Sequence, residues 1–396
     1  MSKSMKNDPD RDKRFARGLP STHHLEVDYV EQEINNMFYQ SRKILEHQSS
    51  TKLELKPKSI AINIRNLLYK QPTDQQYRYF FWPSASLTLA LEVGYFKTKN
   101  KALLDTLVMY YKRWERKGSR LYFLDQIMNG YVLLSLFEIH KDPWIKELLK
   151  KMYEYFKSYP RTGTGSMPYR IDNPEVVLID YLGMICPFLS RYGSIFSYNE
   201  ASHNSAFLLE NFLLNGMNDK MGLPYHGFRS DTHEKLGIIG WGRGVGWLLI
   251  GIVDTLAFLD RTTDEFHSLY NHFCKLINSI LEFQDDNGYF KWMLNADEGH
   301  VDTSATAMIG YSIKRGIDLD LLDIKYAPFA ERSLLALLTS TKNGLVFDSL
   351  AECQGLSMHP QRYEWNLWGQ GFGTAFAGIM IDSGVISPPS PACRGR

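Results

Sequence analysis

Cysteine is scarce in this chain: 396 residues contain four, Cys186, Cys274, Cys353 and Cys393, far apart and without metal-type spacing. A chain this long with so few is not a disulfide scaffold. No His-x-x-x-His or Cys-x-x-Cys occurs either, so a zinc site is not expected. Excess charge is equally lacking, with 45 Lys+Arg against 44 Asp+Glu. Nucleic acid and anionic lipid are therefore not expected partners. No apolar run approaches the length that crosses a bilayer. The segment Met1 to Pro20 is charged and lacks the apolar core of a secretory signal. A soluble, cytoplasmic protein is the expectation. Gly-x-Ser-x-Gly is missing, which leaves no sign of a nucleophile-elbow hydrolase. Strand–helix–strand alternation is missing too, which argues against a Rossmann fold or a (β/α)8 barrel.

What the chain has is helical periodicity. It is clearest over 243–260, where Val245, Leu248, Leu249, Ile252, Val253, Leu256 and Leu259 recur at three- and four-residue spacing. Similar patterns cover approximately 26–47, 85–97, 101–115, 122–140, 143–157, 174–191, 202–216, 264–283, 301–315, 327–339 and 367–382. Only Gly288–Leu294 and Gly344–Phe347 read as strands. About a dozen helices form either an open α-solenoid or a closed toroid of helix pairs. A solenoid repeats itself at a fixed period, and none is visible. The expected fold is thus all-α, an (α/α)6 barrel. Residues 1–20 and 387–396 read as loose ends around one domain spanning 21–386.

Four stretches carry candidate chemistry. Asp180 is the only charge in the run Val176 to Phe188. A carboxylate so placed takes a hydrogen-bonding partner or stays protonated; a neutral acid near pH 7 is a proton donor. Asn173 and Pro174 read as the start of its helix, which puts Asp180 in the second turn. Asp125, in Leu124-Asp125-Gln126-Ile127, is a second lone acid, with N-capping as its plainer role. The glycine-rich loop Thr162-Gly163-Thr164-Gly165-Ser166 has no Gly-Lys-Ser/Thr ending and is not a phosphate loop. In Trp241-Gly242-Arg243-Gly244-Val245-Gly246-Trp247, three glycines at a helix start cost about 1 kcal/mol each against Ala. Close approach to a ligand would offset that cost, ahead of tight helix packing. Finally, Asp302 or Thr303 is placed to cap the helix that follows.

Taken in order, these motifs resemble the unsaturated glucuronyl and rhamnogalacturonyl hydrolases, glycoside hydrolase families 88 and 105. The resemblance runs from about Tyr77 to Gly384. It rests on Leu124-Asp125, Pro160-Arg161-Thr162, Asp180-Tyr181-Leu182-Gly183-Met184, the Trp241–Trp247 motif, Gln284-Asp285-Asp286-Asn287-Gly288 and Asp302 to Met308. It implies an (α/α)6 barrel working without a cofactor on oligosaccharides that end in a Δ4,5-unsaturated uronic acid. It further implies Asp180 as general acid/base, its apolar flanks suited to raising the pKa, and Asp125 as the second acid. His226, Trp241, Arg243 and Trp247 would line the pocket, with Arg243 meeting the substrate carboxylate and Trp82 or Phe81 adding a stacking wall. The departures lie in substrate-facing loops. Leu178 stands where Trp is usual, Ser166-Met167-Pro168-Tyr169 replaces an aromatic–Trp–His segment, and His226-Gly227-Phe228-Arg229 replaces His-Gly-Trp-Asp. Those changes leave a non-catalytic glycan-binding protein on the same scaffold as the alternative.

Overall fold

In the computed structural model, residues 27–48 and 80–382 are described; the expected loose ends at 1–20 and 387–396 lie outside them. Among the described residues there are twelve α-helices: α1 (Val27–Gln48), α2 (Trp82–Thr98), α3 (Lys101–Arg116), α4 (Asn129–His140), α5 (Pro143–Ser158), α6 (Asp180–Phe196), α7 (Asn199–Asn215), α8 (Gly242–Leu256), α9 (Asp264–Leu281), α10 (Thr303–Asp318), α11 (Ala327–Thr339) and α12 (Leu367–Ile379).

They alternate between two rings, and the side chains show why. Every residue of α8 is buried. By contrast, α9 buries only Phe266, Leu269, Phe273, Leu276, Ile277 and Ile280, one stripe at helical spacing. A helix apolar all round must be enclosed, while a striped one lies on the surface of the core. The even-numbered helices therefore form the inner ring and the odd-numbered ones the outer. Neighbouring inner helices pack in the order α2, α4, α6, α8, α10, α12, and α12 closes back onto α2. That closure makes six hairpins into the expected (α/α)6 barrel and excludes the open solenoid.

The glycines of the Trp241–Trp247 motif serve this packing. A β-carbon on Gly246 would lie 2.6 Å from Met308 Cβ, and one on Gly244 the same distance from the Trp241 ring. On the facing helix, a β-carbon on Gly183 would come within 2.5 Å of the Trp247 carbonyl oxygen. The expected ligand approach at these glycines gives way to helix–helix contact, because the inner ring leaves no room for side chains there.

The small sheets depart furthest from expectation. The pattern 174–191 predicts one helix starting at Asn173-Pro174, but Val176–Leu178 forms strand β1 and α6 begins only at Asp180. The central strand β3 (Leu223–Arg229) pairs antiparallel with β1, with β2 (Met217–Asn218) and with β4 (Lys235–Ile239). Val177 sits opposite Phe228 and Leu178 opposite Gly227. The β-branched pair Val176-Val177 suits a buried strand better than a helix start, and pairing with β3 decides the matter. The two strands expected from sequence are minor. Gly288–Leu294 makes only single bridges, Trp241 to Met293 and Lys291 to Val301, and Leu345–Val346 pairs with Thr341–Lys342.

Candidate active site

The starts of the inner helices meet around a cavity of about 340 Å³ lined by Trp82, Arg170, Asp180, His226, Arg243 and Glu352 among others. Its floor is made by the β1–β3 pairing. Because β1 ends at Leu178, the chain turns inward and Asp180 becomes the first residue of α6, not a member of its second turn. Its carboxylate is thereby at the helix N-terminus, where anionic groups are favoured. On β3 the register shifts between Tyr225 and Gly227, and such a bulge re-aims a side chain. That side chain is His226. Its backbone carbonyl accepts a bond of 2.9 Å from Ile179 N–H, and its ring Nε2 lies 3.1 Å from Asp180 Oδ2. Two residues 46 positions apart are thus fixed against each other by strand pairing. Asp180 is 7% exposed and His226 1%.

The wall above them is carried by two loops. From the loop before β1 come Tyr169 and Arg170. The Arg170 guanidinium stacks 4.1 Å over the Tyr169 ring and 5.0 Å over Phe123. Its Nη2 reaches Asp125 Oδ2 at 3.5 Å while its side chain stays 31% exposed. Asp125 lies behind it, fully buried in a 3-10 turn at Leu124–Met128. Burial pushes the Asp125 carboxyl up to about 6 despite the opposing pull of Arg170. Its Oδ1 has no hydrogen-bond partner among the described residues.

The second loop connects the two paired strands Ser349–Leu350 and Tyr363–Glu364 and delivers Glu352, Cys353, Gly355 and Leu356 to the cavity. Arg243 holds it in place. Its Nη1 and Nη2 donate to the carbonyls of Leu350 at 3.0 Å and Ala351 at 3.1 Å, and Asp302 Oδ2 is 3.9 Å away. Trp368 Nε1 donates to the same Leu350 carbonyl. Asp302 accepts the Leu350 and Ser304 N–H groups, so it caps α10 as expected and anchors the loop besides. Burial raises the Glu352 carboxyl above its usual range and pushes the Cys353 thiol up to about 12. His359, in ring contact with His226 at 5.4 Å between centroids, is pushed down to about 4 by burial and stays neutral near pH 7.

Of the residues singled out in the sequence, Asp180, His226, Arg243 and Trp82 line the cavity. Trp82 packs against Trp368 and Trp247 and lines the cavity, with Phe81 beside it. Asp125 stands one layer back. Trp241 is buried behind His226, ring centroids 4.5 Å apart. Trp247 is enclosed between Trp82 and Phe372 in the inner ring. The loop around Gly163–Gly165 is tied to Ser230 and Asn211 instead of the cavity. Sequence reasoning misses Arg170, Glu352, Cys353 and His359. Arg170 directly follows Ser166-Met167-Pro168-Tyr169, one of the departures noted above, and that position was the available signal. The others sit in a loop with no periodicity, where nothing marks them.

Comparison with known proteins agrees with this architecture. The chain is 21% identical over 317 residues to the unsaturated rhamnogalacturonyl hydrolase YesR of Bacillus subtilis, covering 76% of this chain and 89% of that one. A possible member of glycoside hydrolase family 105 from Salmonella enterica superposes with a TM-score of 0.79 at 17% identity, over 97% of this chain and 100% of the other. The unsaturated glucuronyl hydrolase of Bacillus sp. GL1, which takes part in glycosaminoglycan degradation, gives 0.65 at 16% identity over 90% and 98%. The profile of Glycosyl Hydrolase Family 88 matches residues 62–376, most of the chain, and the protein belongs to that family.

Proposed function

We propose that this protein removes a Δ4,5-unsaturated uronic acid from the non-reducing end of an oligosaccharide by hydrating its double bond. The observation that carries the reading is the Asp180 carboxyl, held by His226 at 3.1 Å, opening onto a cavity that also presents a guanidinium and an indole face. Asp180 gives its proton to C4 of the enol ether, and the positive charge that forms is shared between C5 and the ring oxygen. Water adds at C5 and returns a proton to the carboxylate, which acts as base. The resulting hemiketal opens, and the hemiacetal left at C1 expels the next sugar. His226 orients the acid through its Nε2.

Arg170 is the residue to which we assign the substrate carboxylate, in place of Arg243. Both line the cavity, but the Arg243 guanidinium is buried with its Nη donors on two backbone carbonyls. The Arg170 side chain is instead 31% exposed and stacked on aromatic faces, its Nη1 on the Tyr169 carbonyl and its Nη2 on Asp125 at the longer separation of 3.5 Å. A guanidinium pairs with a planar carboxylate through two parallel bonds. Trp82 gives the sugar ring an apolar face.

The test is a panel of unsaturated disaccharides prepared by lyase digestion of pectin and of glycosaminoglycans, followed by the loss of near-ultraviolet absorbance. At least one member should be consumed. Saccharide binding without any turnover across the panel would instead make this a glycan-binding protein on a hydrolase scaffold.

A further inference from the structure

We infer that Asp180, His226 and Cys353 together form a binding site for a borderline-soft divalent cation, Zn²⁺ foremost, which competes with the sugar for the cavity floor. The inference rests on the proposed role of that floor, but it concerns a different ligand and is read independently. One ligand atom from each of the three residues lies within 4.8 Å of the other two. They offer a carboxylate oxygen, an imidazole nitrogen and a sulfur, the donor types that zinc prefers. The Asp180 Oδ2 to His226 Nε2 spacing is 3.1 Å. Two ligands of a tetrahedral zinc stand roughly 3.3 Å apart when each bond is about 2.0–2.1 Å. That pair is thus already at coordinating separation, and only the Cys353 side chain has to close in.

Burial and access both fit. Asp180 and His226 are buried and fixed by the β1–β3 pairing, while Cys353 sits half-buried at the cavity edge. The His226 ring packs against Trp241 and His359, which also touch each other, and its Nδ1 has no partner among the described residues. Its Nε2 meets Asp180 alone. Three protein ligands facing an open cavity leave the fourth tetrahedral position to water, which is how open zinc sites are built. Mg²⁺ and Ca²⁺ demand six or more oxygen donors and should not bind. A cation on Asp180 would occupy the group that the hydration reaction needs, so its effect would be reversible inhibition. No pair of these residues is close in sequence, which is why motif spacing gives no hint of the site.

The experiment uses the full chain stripped of metal with a chelator. Titration with Co²⁺ should saturate at one ion per chain and produce a thiolate-to-cobalt charge-transfer band, which Zn²⁺ displaces and Mg²⁺ does not. Cys353→Ser should abolish that band and weaken Zn²⁺ binding by more than about a hundredfold, beyond the 10–100-fold typical of losing an outer partner. Cys353→Ala repeats the measurement should the serine variant fold poorly, and Cys274→Ser should retain the band. Where turnover is measurable, Zn²⁺ should raise the apparent KM. No saturable site, or equal Zn²⁺ affinity in wild type and both Cys353 variants, overturns the inference. Because the cobalt band needs no turnover, failure of the hydrolase reading would leave this test intact.

Discussion

The two ends of the inner ring both bury charge, and they treat it differently. At the end away from the cavity, the second halves of the inner helices bring together Glu92, Arg191, Asp254 and Arg315. Glu92 accepts bonds from Ser135 and from Arg191 Nη1, which also reaches the Tyr131 carbonyl, while Arg191 Nη2 donates to Glu138. Asp254 takes Tyr131, Tyr311 and Arg315. Every carboxylate there is occupied, and Arg191 Nε is the one atom of these four side chains buried without a hydrogen-bond partner among the described residues. At the cavity end, Asp125 Oδ1, Asn129 Oδ1, His226 Nδ1 and Asp302 Oδ2 are buried with no hydrogen-bond partner among the described residues. A nearly closed network rigidifies a core, whereas unfilled bonding capacity around a cavity is capacity for a ligand. The comparison separates charges that hold the barrel from charges that the proposed function sets against a substrate.

The hardest test of that division is Asp180→Asn. Asparagine keeps the shape and loses the proton, so turnover should fall by about 10²–10⁴-fold while thermal unfolding moves little. Full rate in this variant would remove the proposed mechanism. The mirror-image substitution is Arg191→Leu at the far end. Leaving Glu92 buried without its cation should cost about 3–5 kcal/mol in denaturant unfolding, with KM unchanged on the folded fraction. A stable Arg191→Leu protein that cannot turn over substrate would collapse the distinction between the two ends.

Asp125 sharpens the comparison by a smaller effect that depends on pH. Its folded pKa of about 6 lies above the 3.8 of a free aspartate, so the folded state holds the proton more tightly. This group's contribution to stability is fully present below about pH 4 and is lost as pH rises through about 6. The unfolding free energy of wild type relative to Asp125→Asn should therefore fall by roughly 2–3 kcal/mol across that window. A flat difference would show that Asp125 remains ionised throughout it. Smallest is Arg170→Lys, which keeps the charge but loses the bidentate fork. We expect KM to rise about tenfold, near 1.4 kcal/mol, with kcat preserved. A KM that responds to Arg243→Lys but not to Arg170→Lys would return the carboxylate to Arg243.

Legibility in the sequence followed locality. Helix periods and the contrast between apolar and striped helices are local, so most helices fall within a few residues of their expected ends; α10 spans Thr303–Asp318 against 301–315. Strand β3 was invisible because Pro224 and Gly227 break its pattern and its partners lie up to 53 residues away, as in Val176 with Arg229. The same non-local pairing overrode the helix signal at Asn173-Pro174 and moved Asp180 to the head of α6. Arg243 shows the limit for side chains. Its motif was readable, but not that its donors are spent on Leu350 and Ala351, more than a hundred positions on.

The amino-acid order, through hydrophobic periodicity and short motifs, was enough to specify a ring of helix pairs, its family and the lone acid at 180, because those depend on neighbours within a turn or two. Folding in three dimensions alone decided what each guanidinium lining the cavity is bonded to, that His226 stands against Asp180, and that a cysteine from position 353 lies near them. Those arrangements arise when strand pairing and ring closure bring distant segments together, and no local pattern records that.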